Sequence, residues 1–199
     1  MKCNLYGLHP EFYKLNASEL ETHFSSASFD LIIFMASLEH MTLPEREKAL
    51  SAAYNLLPKG GLLCITGSPN RLHFMDSHKS LLPFFHWLPD ELAIKYAKYS
   101  GRAQYNDHML ELDDTFEKLE WFYRWGRGIS FHEIEIALRP INELKIVGDL
   151  TSFLRKKNSI YAFATFFTSN FNYEKFLSKR FPNINRAFFR PYIDIVIEK

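Results

Sequence analysis

The chain has little of what announces many common sites. It has two cysteines, Cys3 and Cys64. They lie far apart, and Cys64 sits inside an apolar strand-like run, so neither a disulfide framework nor a zinc knuckle is readable and a reducing, cytoplasmic setting fits. Long apolar runs are missing too. The longest, Ile160–Phe167, falls far short of the roughly 20 residues of a membrane helix, and no basic stretch followed by an apolar run marks a leader. A soluble chain without a membrane span is expected. Charge of one sign is absent as well: 24 Lys and Arg against 23 Asp and Glu leave a formal +1. The one basic cluster is Arg155–Lys157, so nothing gathers nucleic acid or an anionic membrane. No internal repeat or low-complexity segment occurs. One scarcity bears directly on function. Open α/β sheets that bind nucleotides carry a glycine-rich turn after the first strand and an acidic residue about 20 positions later, yet Gly7 is the only glycine before Phe29.

Aromatic residues, by contrast, are plentiful at 16%, with 19 Phe, which suits either a thick core or a pocket for a flat or apolar ligand. At 199 residues the chain is expected to form one domain. Phe29–Phe34 is a nearly continuous, branched apolar run, the pattern of a strand buried on both faces of a parallel sheet. Pro44 opens a helix in which Ala49, Ala52, Ala53, Leu56 and Leu57 recur at helical spacing, and Pro58 and Gly60 stop it. Gly61–Thr66 follows as a second buried strand. Strand, helix, strand with short joints is a right-handed crossover and sets the class as α/β. Further strands are expected at Phe12–Leu15, Leu144–Leu150 and Tyr192–Lys199, the last alternating as an antiparallel or edge strand does. Helices are expected over Pro89–Tyr99, Thr115–Trp125 and Phe131–Leu138, with a Phe-rich helical region over Ile160–Arg180.

Glu39 and His40 stand where the first of these strands gives out. His gains and loses protons near neutrality, so the pair could act as a base at a strand tip. It could instead fix the loop and helix ends by hydrogen bonds. Asp76–Pro89, stiffened by prolines and carrying Phe84, Phe85 and Trp87, is either a lid over an acceptor pocket or an aromatic plug on the sheet end.

"FDLIIFMASLEHM", a helix, "LLPKGGLLCIT" and "SPN" together resemble the middle of the class I S-adenosylmethionine-dependent methyltransferases. Their fourth strand often ends in Leu-Glu-His and their fifth follows Leu-Lys-Pro-Gly-Gly; here Pro58 and Lys59 are exchanged. "SPNRLHFMDSHKSLLPFFHWLP" further resembles a bacterial subgroup. The resemblance covers about Phe12 to Arg102. It implies a Rossmann-like methyltransferase sheet, mostly parallel with an antiparallel last strand and lacking the first strands. The chain would then begin near the family's third strand, with the glycine-rich cofactor loop upstream of Met1. Residues 1–102 would hold strands three to five and a substrate loop, 103–143 a helical insertion, and 144–199 the last two strands with Phe-rich helices.

By the same resemblance, S-adenosylmethionine is the cofactor and a small-molecule or glycan-like molecule the methyl acceptor, with activity impaired in a truncated chain. Asn16, Ala17, Phe34, Met35, Ala36 and Leu38 would flank the cofactor, although Asn16 also suits a turn cap. Glu39 and His40 would serve catalysis. Asn70, His73, His78, Phe85 and Trp87 would meet the substrate. Some members of the family hold a divalent metal on the Glu-His pair with further His or Glu residues, a set that His73, Asp76 and His78 could complete here, but no metal ligand is assigned. The rival expectation is a non-catalytic partner subunit that associates with another protein through an exposed sheet edge.

Overall fold

A computed structural model describes residues 7, 9–102, 115–125, 127–150 and 169–199. The chain enters irregularly through residues 9–16. The expected strand over Phe12–Leu15 is therefore corrected: Phe12 and Tyr13 are exposed, and the segment does not pair with β1 (Leu31–Met35), whose outer edge no described strand takes. Helix α1 (Leu20–His23) precedes β1, and α2 (Leu43–Leu56) follows it. Strand β2 (Leu62–Pro69), α3 (Asp90–Tyr96), α4 (Thr115–Trp125), α5 (Phe131–Ala137), β3 (Lys145–Asp149), α6 (Ser169–Arg180) and β4 (Tyr192–Glu198) complete the order. Residues 103–114 and 151–168 lie outside the described residues, and with them the start of the expected Phe-rich helix.

The four strands run β1-β2-β4-β3 across one sheet. β1 and β2 are parallel, joined by the expected crossover helix, and β4 lies antiparallel to both β2 and β3. Three strands thus point one way and the last is reversed, but it sits inside the sheet rather than at its edge, so one of the three ladders is parallel. β2 runs beyond Thr66 because Gly67, at φ +70°, takes the left-handed turn of a bulge against β4.

One sheet face is covered. Phe34, Leu63, Ile65, Ile193, Ile195 and Ile197 pack with Leu50 and Ala53 of α2, with Leu57 just after it and with Ile134 of α5 in one core. On the other face Leu31, Ile33 and Met35 are half or more exposed. A second, smaller core joins Phe85, Ala93, Ala97 and Phe122.

The helices are tied to this unit by charge as well as by apolar contact. Thr42 and Ser130 begin α2 and α5 with reciprocal capping boxes completed by Glu45 and Glu133. Each capping glutamate also meets an arginine from elsewhere. Glu45 is held bidentately by Arg124 of α4 at 2.8 and 3.0 Å. Glu133 takes the buried Arg46 of α2 at 2.7 Å. Arg46 further donates to the Met41, Gly128 and Tyr123 carbonyls. Next to it, a methyl group on Gly128 would collide with the Pro69 carbonyl, so only glycine lets this segment run against the end of β2. Removing one partner of so enclosed an ion pair strands a charge. Glu133→Ala is expected to cost ~3–5 kcal/mol in urea unfolding, whereas replacing Arg46 and Glu133 together by Met and Leu should recover most of that loss.

Candidate functional site

The tips of β1 and β2 approach each other closely. Ala36 donates its N–H to the Thr66 carbonyl at 2.9 Å and holds φ +45°, a left-handed conformation unusual for a residue with a side chain. Asp194 of β4 accepts from the Thr66 hydroxyl and the Gly67 N–H at 2.8 and 2.9 Å, which fixes the β2 tip. The turn Leu38–His40 follows directly on the β1 tip.

Glu39 is buried to 1% exposure. Its Oε2 accepts from the Ser68 hydroxyl at 3.2 Å, while Oε1 has no hydrogen-bond partner among the described residues and lies 4.0 Å from His40 Nε2. His40 Nδ1 is 3.0 Å from the Arg124 carbonyl. A carbonyl only accepts, so in the neutral ring Nδ1 carries the proton and Nε2 keeps its lone pair. The ring also rests on Trp125, centroid to centroid 4.4 Å. His40 therefore fixes the end of α4 and still presents a basic nitrogen beside a carboxylate.

The loop after β2 closes the other side. Asp76 accepts from the N–H groups of His78, Lys79 and Ser80 and from the Ser80 hydroxyl at 2.7–3.0 Å, with His86 Nε2 3.4 Å away. Burial would raise its carboxyl, but His86 and the backbone donors outweigh burial and hold it well below the usual carboxylate range. Burial lowers the proton affinity of His78, aided by the Lys79 charge, with Glu39 and Asp76 opposing. Burial likewise lowers Lys79, whose ammonium stands 5.1 Å over the Trp125 ring. Glu39, Asp76, His78 and Lys79 thus feel one another's charge. Leu81 and Phe84 both hold left-handed backbone, at φ +59° and +57°, in this same loop.

The other expected site residues divide. Met35 and Ala36 are exposed at the β1 tip, but the Phe34 and Leu38 side chains belong to the main core and can offer a ligand only their backbone. Asn16 caps the turn Ala17–Glu19 by accepting from the Ser18 N–H, and Ala17 packs against the main core. Asn70 is a clamp: its amide donates to the Phe188 and Arg190 carbonyls and accepts from the Leu72 N–H. His73 is buried, with Nδ1 at the Met75 carbonyl and Nε2 unpartnered among the described residues. Phe85 is corrected from a substrate contact to a core residue at 0% exposure, because the backbone that carries it is pulled inward by Arg127, which donates to its carbonyl at 3.1 Å. Trp87 stays half exposed. Among the described residues no three His, Cys, Asp or Glu side chains converge as a metal-binding group, so His73, Asp76 and His78 do not gather around the Glu-His pair.

Lys79 and Trp125 escape a reading of the sequence because nothing in their spacing links residues so far apart in the chain. The loop anchor Asp76 yields a direct test. Its carboxyl is depressed in the folded state, so its stabilisation is complete above its unfolded pKa of about 3.9 and is lost as pH falls below that. Asp76→Asn should lower the urea midpoint at pH 7 by about 1–3 kcal/mol equivalent and show a smaller loss than the parent between pH 4 and 2.

A family model described as a methyltransferase domain matches residues 2–65, ending within β2. No curated protein and no solved structure matches the chain. The matched span contains β1, the Leu38–His40 turn, α2 and the start of β2, the stretch whose strand–helix–strand geometry forms the β1 side of the site. Over residues 2–65 the chain is thus similar to a methyltransferase domain.

Proposed function

We propose that the protein transfers the methyl group of S-adenosylmethionine to a small-molecule acceptor, with His40 as the base that frees the acceptor's lone pair. The observation that carries this reading is the fixed imidazole: Nδ1 is engaged by the Arg124 carbonyl, and Nε2 is left 4.0 Å from the half-unpaired Glu39 carboxylate. Nε2 thereby keeps its lone pair beside that carboxyl group, the geometry that a general base at a strand tip needs. The residues at the strand tips suit the cofactor. Gly67 and Ala36 leave little side-chain bulk where open α/β sheets bind ligands, and exposed Met35 offers apolar surface beside them. When bound, the sulfonium supplies an already activated methyl. The chain's own part is then to orient the acceptor, keep water out and hold its proton on His40.

A second reading is favoured by one observation. Leu31, Ile33 and Met35 present an apolar face that the described residues leave open, Met35 at 70% exposure, which suits a partner subunit that associates through the sheet.

Titration of the chain with S-adenosylhomocysteine by calorimetry is expected to show saturable binding. No binding, together with a stable complex with another chain, would favour the partner-subunit reading. His40→Ala should leave that affinity within about twofold yet lower turnover by about 10²-fold or more; undiminished turnover would remove the base from the scheme.

A further inference from the structure

The loop that carries Asp76 and Lys79 also lends Trp87 to a pocket of about 500 Å³, within the range of small-molecule sites. Its walls include Trp87 of that loop, Phe131 of α5, Tyr173 and Leu177 of α6, and Phe181 and Phe189 before β4. No Asp, Glu, Lys or Arg is among its described lining residues. The Tyr173 hydroxyl is engaged, donating to the Leu72 carbonyl at 2.9 Å. The Tyr173 ring stands edge-on to His73 at 5.3 Å and meets Phe74 at 5.1 Å, so Tyr173 binds the pocket wall to the base of the loop. His132 is the one imidazole on this wall; the other lining residues are aromatic and branched side chains, which gain free energy by removing hydrocarbon from water.

We infer that this pocket takes a hydrocarbon arm of the methyl acceptor, so that the acceptor is amphiphilic, its polar reacting end on the Glu39 and His40 side of the loop and its apolar arm beside Trp87. The assignment to an acceptor rests on the methyl-transfer reading; the binding of hydrocarbon does not. Aromatic richness in the sequence suited either a core or an apolar-ligand pocket, and this cavity is where the second alternative acquires walls.

The full chain should be titrated with hexanol, octanol, decanol and dodecanol, with tryptophan fluorescence as the readout. Affinity is expected to rise by about fourfold per added methylene, the ~0.8 kcal/mol of a buried CH₂, until the chain outgrows the cavity. Leu177→Trp, which fills the pocket, should abolish binding. Phe181→Glu, a charge placed at an already half-exposed wall, should weaken decanol at least tenfold and serves if the first variant does not fold. Geraniol, matched to decanol in carbon number, distinguishes a branched isoprenoid arm from a linear one by which of the two binds more tightly. Affinity independent of chain length, or unchanged in a folded variant of either kind, would overturn the inference. S-adenosylhomocysteine titrated into the same preparations keeps the two failures apart: cofactor binding without chain-length dependence sinks the pocket alone, and chain-length dependence without cofactor binding sinks only the acceptor assignment.

Discussion

A guanidinium shut away from water must be met from several sides, and the way Arg46 is met organises the molecule. Its charge is answered by Glu133, and its remaining donors reach the Met41, Gly128 and Tyr123 carbonyls. Those partners come from the start of α2, the segment beside the end of β2, α4 and α5. One side chain therefore registers the crossover helix against the later helices. Arg124, one residue after Tyr123, bonds Glu45 through its side chain and His40 through its carbonyl. The position of the imidazole is thus inherited from the buried ion pair.

The two capping glutamates explain how this is achieved with few residues. A carboxylate at the third position of a helix is favoured by the backbone N–H groups there. Glu45 and Glu133 keep a second oxygen or lone pair for an arginine, so each joins a local cap to a long-range tie. The cost of burying Arg46 is offset because each of its three nitrogens donates at least one hydrogen bond.

The loop after β2 has two characters. Asp76 gathers four donors and stiffens its own turn, placing His78 and Lys79 near Glu39 and Trp125. A few residues on, Phe85 turns into the small core while Trp87 faces the apolar cavity. Left-handed backbone at Leu81 and Phe84 marks where the chain changes course between them, conformations that cost energy and persist only under tight constraint from the surroundings.

Local pattern sufficed for much of this. The apolar run at Phe29–Phe34, Pro44, the alanines of α2 and the Pro-Lys-Gly-Gly turn each act over a few residues, and the strand–helix–strand unit they specify is present with shifts of one to three residues at its ends. The Glu-His pair at the strand tip was legible for the same reason. Phe12–Leu15 misled because strand-like composition does not make a strand without a neighbour to complete its ladder. Side-chain direction was equally beyond reach: Phe85 and Trp87, two positions apart, divide between core and cavity, and Asn70 turns its whole amide onto backbone. The sequence by itself determined which segments become helix or strand and where the acidic and imidazole groups fall along them, since propensity, periodicity and capping are local. Only the tertiary structure decided which tautomer His40 is held in, which oxygen of Glu39 is left open and which aromatic rings wall a pocket, because those depend on groups that folding brings from far along the chain, 29 residues for Ser68 at Glu39 and 84 for the Arg124 carbonyl at His40.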